Sequence, residues 1–427
     1  MDSAAINRLR LPLALAIIMI HLHTQVDIIN ELAAIAVPLF FMMSGFLFFR
    51  GRSPECAMLN ALCIANRSKL GRGVLKEPGG SLAAGADSGG ESVSGNGQWS
   101  TVNYFPKFRR RVRSLLFPYV LFCLLAVIGL IINHTLHGHS LTDSIHTFLG
   151  NGRWLHNFWD VHTTGQNTNV LGITKPVSYP ILIPLWFIRD LMVIVLMAPL
   201  IGWAIRCLRI GWIAVMVVLS ITGIWIPLVG FSPSSCLWFS IGAWFSINGI
   251  SMASSLRRVR IPLICAAIAL LVLDILTDGR PADRYVHFAF LLMAVPATYA
   301  IAVRDRSILK LDLDLNPVRD RSILKLDLAN VQCSMFNVRW STASLSFFIF
   351  AFHTLSVPFL GRPVELSKQL LFTGSDSELL CILQSIGAAL LTAVICIMAY
   401  FLMLLICPKF LSLLTGGRVK KIEGLKN

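Results

Sequence analysis

Arg10 and His21 stand eleven residues apart in the first apolar stretch. At 100° per residue they differ by about 1100°, three turns plus about 20°, so a helix puts them on one face roughly 16 Å apart along its axis. His23 points to the opposite side. A histidine of near-neutral pKa inside a bundle is suited to take a proton from a hydroxyl. The other reading is an imidazole hydrogen-bonded to a neighbouring helix. A second element is Phe108-Arg-Arg-Arg-Val-Arg-Ser-Leu-Leu-Phe-Pro118-Tyr. Here Arg110 and Arg113 are spaced i, i+3 and share a face at the mouth of an apolar helix. Their guanidinium groups suit phosphate oxygens, or form a basic stop-transfer cluster. The third element, Pro184-Leu-Trp186-Phe-Ile-Arg189-Asp190-Leu, opens another apolar helix with adjacent opposite charges. They pair with groups on other helices or cap the interface. His353 lies deep in a ninth apolar segment, after Ser346-Phe-Phe-Ile-Phe-Ala-Phe, and His287 lies nearer the end of the eighth.

Ionisable groups of this kind matter because of the elements that carry them. The chain is 55% hydrophobic and only 14% charged, against about a quarter charged in a soluble domain, and its mean hydropathy is +0.70. A bilayer core about 30 Å thick calls for roughly 20 helical residues. Stretches 11–29, 32–49, 115–133, 184–205, 211–230, 236–253, 261–277, 285–303, 342–360 and 379–407 meet or approach that length. The fold expected is therefore an all-α integral membrane protein, a polytopic bundle of about ten transmembrane helices. A charge inside such a bundle is costly and marks function by default.

The net charge is +15. With the N-terminus placed in the cytoplasm, 30 Lys and Arg fall in cytoplasmic segments and 6 in outer ones. That asymmetry puts both the N and C termini in the cytoplasm. The basic excess thus reads as topology and attraction to anionic lipid, without nucleic acid as a partner. The ten cysteines lie mostly in apolar stretches, such as Cys123, Cys265 and Cys396. They read as buried thiols with no disulfide framework. Arg8 and Arg10 before an apolar run resemble a signal peptide, but the nearest small-residue site, Ala34-Ile-Ala36, comes too late, so a retained first helix is expected. The outer segment 134–183 carries Trp154, Trp159, Tyr179 and several histidines. His137 and His139 have no further ligands at a recognisable spacing, so a solvated polar loop is expected and no metal site.

Two cytoplasmic segments interrupt the pattern. Residues 51–103 include a Gly-, Ser- and Ala-rich run from Gly79 to Gly97 and read as a flexible insertion. Within 304–341, the ten residues Arg304 to Leu313 recur unchanged at Arg319 to Leu328. One copy at this spacing is a local duplication in a tolerant loop, since a solenoid needs at least about three repeats. No G-x-S-x-G, P-loop or dinucleotide fingerprint is present.

Five motifs in order resemble the acyltransferase 3 family of membrane O-acyltransferases. They are Arg10-x10-His21, Pro38-Leu-Phe-Phe-Met-Met-Ser-Gly-Phe46, Arg110-x-x-Arg113 running to Pro118, Leu185-Trp-Phe-Ile-Arg-Asp190, and Phe-x-x-x-x-His353. The resemblance covers nearly the whole chain, 1–427 reading as one domain. It implies transfer of an acyl group, usually acetyl, from cytoplasmic acyl-CoA to a hydroxyl of a glycan or other envelope acceptor, in a bacterial inner membrane. It implies no resident cofactor and no metal. By the same resemblance His21 is the essential histidine and Arg10 its partner. Arg110 and Arg113 bind the donor. Trp186 with Asp190 stands for a Trp–acid pair, Asp190 orienting an imidazole, and Arg189 and His353 face the acceptor. Whether His21 acts as a base or carries the acyl group stays open, as does the oligomeric state. No SGNH-type domain is expected after the last helix. The rival expectation is a transporter or flippase for a glycan or lipid-linked sugar, which would line a pathway with the same charges.

Overall fold

The computed structural model describes residues 2–21, 27–50, 104–170, 173–226, 228–303, 330–333, 338–355 and 378–421. The insertion 51–103 and both copies of the duplicated decapeptide lie outside them. The protein is a helical bundle. Helix α1 runs Asp2–His21, and α2 (Asp27–Ala34) and α3 (Ala36–Phe49) follow with a break at Ile35. Then come α4 (Tyr104–Leu136), α5 (Leu141–Leu149) and α6 (Arg153–Asn157). A strand pair, β1 (His162–Val170) and β2 (Ile173–Tyr179), leads through a short 3-10 turn into α7 (Trp186–Leu208). Next are α8 (Ile210–Thr222), α9 (Pro233–Ile247), α10 (Met252–Arg258), α11 (Arg260–Thr277) and α12 (Asp283–Ala302). The last part holds β3 (Asn330–Cys333), β4 (Val338–Ser341), α13 (342–355), α14 (Glu378–Ile406), α15 (Pro408–Leu414) and β5 (Lys420–Lys421).

Among the described residues, seven helices, counting α2 and α3 as one span, are long and apolar enough to cross a membrane, and an eighth span is formed if α9 and α10, bent by 103° at their break, act together. Two of the stretches expected to span, 211–230 and 342–360, form the shorter helices α8 and α13. Thirteen residues of α8 cover about 20 Å, short of a 30 Å hydrocarbon core. The outer surface explains itself only in lipid. Leu196, Leu200, Trp203, Ile261, Leu276, Met398 and Leu402 are all exposed, large apolar side chains of the kind that lipid accepts and water does not. Cys265, expected to be buried, is exposed on the same kind of surface, whereas Cys123 and Cys396 are buried. The segment expected as a polar loop is folded instead: α5, α6 and the antiparallel β1–β2 pair occupy it.

The core is built by close helix approach. Gly45 of α3 faces the Phe239 backbone of α9, and Gly242 of α9 faces the Met42 backbone of α3. A Cβ at either position would run into a carbonyl oxygen. Between helices in lipid, small residues of this kind let backbones meet and supply the packing energy that the hydrophobic effect does not. At the N-terminal end of α1, Asp2 ties three elements together. Its carboxylate accepts from the Ala253 amide at 2.6 Å, the Ser251 hydroxyl at 3.0 Å and the Tyr299 hydroxyl at 3.1 Å. An acid at the start of α10 also complements that helix's dipole. Helix α4, at 33 residues, is about 50 Å long and outruns the bilayer core, so its arginine-bearing first turns emerge at one end.

Candidate active site

His21 closes a buried stripe on α1. Ile6, Ala14 and Ile17 are buried on the same stripe as Arg10 and His21, at steps of three and four residues, which is the helix period. The ring of His21 meets that of His353 edge-on, with centroids 5.2 Å apart and planes at 63°. His353 is wholly buried. Each imidazole spends its Nδ1 on the carbonyl one turn back: His21 on Ile17 at 2.8 Å and His353 on Ile349 at 3.1 Å. A carbonyl only accepts, so Nδ1 carries the hydrogen. In the neutral ring Nε2 then holds the lone pair, the form a general base needs. The sequence left open whether His21 faces the bundle. The structure sets it against a second histidine from a helix more than three hundred residues away in the chain.

Arg189 and Asp190 are both 4% exposed, and they pair with each other at 3.0 Å. Arg189 also donates to the carbonyls of Trp159 at 2.6 Å and Ser178 at 3.2 Å. Its guanidinium lies 5.6 Å from the Trp159 ring centroid. The pair thus pins the α6 and β2 ends onto the start of α7. No imidazole among the described residues hydrogen-bonds to Asp190, whose Oδ1 is turned to Arg189. Trp186, at the first turn of α7, lies edge-on to Tyr179 with centroids 6.4 Å apart. Next to it Phe187 packs on Phe41 at 4.7 Å and on Phe350 of α13 at 5.8 Å. These contacts join α7, α3 and the helix that carries His353.

About three turns back along α1 from His21, near Arg10, lies a cluster of cations. Arg110 and Arg113 are exposed on α4, and Arg111 between them is partly buried. It belongs to the stripe of Leu115, Pro118 and Phe122, all buried. Arg418, just beyond α15, reaches the same place. It donates to the carbonyls of Thr415 at 2.5 Å and Ser114 at 3.5 Å, and lies 4.1 Å from the Phe347 ring centroid. The turn that delivers it needs Gly416 and Gly417, with φ of 62° and 74°. Gly416 also abuts the Ser114 carbonyl, where a Cβ has no room. Burial first, then the positive charges of Arg111 and Arg10, push the Arg418 guanidinium down to about 9. Three arginines from α1, α4 and the C-terminal turn therefore face one another, and no carboxylate pairs with any of them among the described residues. Guanidinium groups gathered in this way suit an anion's oxygens. Sequence reading missed Arg111 and Arg418. The spacing of Arg111 to Leu115, Pro118 and Phe122 carried a signal for the first; nothing local marked the second.

A family model described as an acyltransferase domain matches residues 3–408. The chain belongs to the acyltransferase 3 family. It is an acyltransferase and a multi-pass membrane protein. Searches of curated proteins and of solved structures found no match. Along α1, then, guanidinium groups gather near Arg10 and a part-buried imidazole stands three turns further on at His21.

Proposed function

We propose that this acyltransferase moves an acyl group, acetyl in the simplest case, from cytoplasmic acyl-CoA to a hydroxyl of a glycan or other envelope acceptor. The observation that carries the reading is the pairing, along one helix face, of the arginine cluster with the His21–His353 couple. Coenzyme A has a polyphosphate head and a long, thin arm ending in the thioester. Arg10, Arg111 and Arg418 hold the phosphates; Arg110 and Arg113, exposed beside them, draw the anion in. The arm follows α1 for the roughly 16 Å between Arg10 and His21. His21 Nε2 takes the proton of the acceptor hydroxyl as its oxygen attacks the thioester carbonyl. The C–S bond then breaks, and the departing thiolate recovers the proton from the imidazolium. His353 packs against His21 and fixes its ring. Trp186 and Arg189 border the acceptor side, and Asp190 acts through Arg189 as a positioning residue.

The same reading takes the bundle to ten crossings and puts both termini in the cytoplasm of a cell whose inner membrane holds the protein. The charge asymmetry along the chain supports that orientation. The test uses full-length protein purified in detergent. Acetyl-CoA binding is measured by thermal shift, and free-thiol release is followed with candidate glycan acceptors. We expect His21→Ala to bind donor and release no thiol, and Arg111→Ala to lose donor binding while Arg113→Ala keeps most of it. Thiol release by well-folded His21→Ala protein would remove His21 from the chemistry. Intact mass after incubation with donor alone, showing an added acetyl group lost in His21→Ala, would replace the base by an acyl carrier.

A further inference from the structure

At the end of the bundle where α1 finishes in His21, three side chains from three other helices converge. Glu31 comes from the middle of α2, Asp274 from the last turn of α11 and His287 from the second turn of α12. His287 Nδ1 is 2.6 Å from Glu31 Oε2 and 3.0 Å from Asp274 Oδ2. The three candidate ligand atoms all lie within 4.8 Å of one another. Asp274 is the floor of the group: its side chain is 2% exposed, against 26% for Glu31 and 34% for His287. Its second oxygen, Oδ1, is buried with no hydrogen-bond partner. No arginine or lysine pairs with either carboxylate among the described residues. Two carboxylates and one imidazole therefore sit at the edge of an apolar bundle with an acceptor atom unspent. Burying a lone charge or an unpartnered carboxylate oxygen costs several kcal/mol.

We propose that Glu31, Asp274 and His287 form a divalent metal site, with Zn2+ the ion their chemistry favours. Two carboxylates and a neutral imidazole supply two negative charges, matching the ion. Mixed oxygen and nitrogen donors suit zinc, whereas Mg2+ and Ca2+ prefer all-oxygen sets. Three protein ligands leave a fourth position, which a water fills. Tetrahedral bonds of about 2.0–2.1 Å put donors roughly 3.3 Å apart. From its present 2.6 Å, Glu31 Oε2 thus has to draw back from His287 by about 0.7 Å. Binding displaces the Nδ1 proton, so affinity rises with pH. The ion would clamp α2, the element that follows His21, to the α11–α12 hairpin. This site does not depend on the acyl donor or acceptor proposed above.

The test is metal content and melting of tag-free, full-length protein in detergent. The protein is stripped with chelator, given Zn2+, and freed of excess ion. About one zinc per chain is expected, with a rise in Tm that Mg2+ does not reproduce. Asp274→Asn and His287→Ala should each lower bound zinc at least tenfold. Glu31→Gln, the gentlest change, should weaken it while the protein still melts cooperatively. The stacked His134 and His139, 3.8 Å between ring centroids, are the control: His134→Ala should leave zinc content unchanged. Zinc retained in both Asp274→Asn and Glu31→Gln, zinc lost in His134→Ala instead, or no stoichiometric zinc in the unaltered protein would each overturn the site. In the last case shared protons hold the cluster together.

Discussion

The buried Arg189–Asp190 pair offers the sharpest separation of scaffold from chemistry. Breaking a buried ion pair by removing one partner costs about 3–5 kcal/mol, because the other charge is stranded. The two partners are not equivalent here. When Asp190 becomes Asn, Arg189 keeps its bonds to the carbonyls of Trp159 and Ser178, and the amide oxygen still accepts from Nε. The cost should fall below that range, at about 1–3 kcal/mol. When Arg189 becomes Met, Asp190 is stranded in apolar surroundings and two carbonyls lose a charged donor, each worth about 1.5–3 kcal/mol. The total then exceeds about 6 kcal/mol, comparable to the whole stability of an ordinary domain. The double variant Arg189→Met with Asp190→Leu removes the stranded charge and should recover about 3 kcal/mol of that loss. Denaturation in detergent or mixed micelles, followed by tryptophan fluorescence, measures all three. Equal costs for Asp190→Asn and Arg189→Met, or the reverse order, would refute the view that Asp190 serves Arg189. Thiol release should be read on the same samples at a temperature where each is folded. Loss of turnover in folded Asp190→Asn, with donor binding intact, would return Asp190 to the chemistry.

Three further outcomes follow from the geometry. Gly242→Leu should force α9 away from the Met42 backbone of α3 and lower stability by about 1–3 kcal/mol or more. Gly387→Ala, which meets nothing within 4 Å, should leave stability unchanged or raise it by up to about 1 kcal/mol through helix propensity; melting of the two variants side by side checks this. Burial and the neighbouring arginines make the lone Arg418 charge costly, and a bound polyphosphate relieves that cost. Arg418→Ala should bind acetyl-CoA about 10–100-fold more weakly by calorimetry, from the loss of about 1.5–3 kcal/mol. His353→Ala should cut kcat more than it raises KM, because it frees the His21 ring without touching the phosphate site; a pure KM effect would place His353 in binding instead.

How much of this was legible in the sequence depends on whether a signal is local. The helices were, since about 20 apolar residues announce themselves wherever they lie. So was the shared face of Arg10 and His21, which needs only the helix period. The 211–230 stretch is longer than α8 because periodicity fixes the core of a helix better than its ends, and α8 stops at Gly223 in a left-handed turn; the end of 342–360 lies outside the described residues. The run Arg109-Arg-Arg-Val-Arg113 hid which guanidinium turns inward. Neighbouring residues on a helix differ by 100°, and the choice of Arg111 rests on the buried row that continues from it.

Other groups were invisible because they are made by packing alone. Arg418 meets Arg111 only because Gly416 brings the C-terminal turn against Ser114. Glu31 lies more than two hundred residues before Asp274 and His287, and the 31–274–287 spacing matches no ligand pattern. Membrane bundles favour such hidden sites. Each helix must be apolar to enter the bilayer, so polar groups are placed singly, one or two to a helix, and become a site only when several helices close together. The same rule fits the run on α4, where Arg110 and Arg113 are exposed and Arg111 alone turns partly inward. In lipid an inward charge has to be rationed to the position where a partner or a substrate meets it. A cluster of inward charges with no carboxylate paired to it among the described residues, as at Arg10, Arg111 and Arg418, therefore fits the proposed donor, whose phosphates arrive from outside the fold.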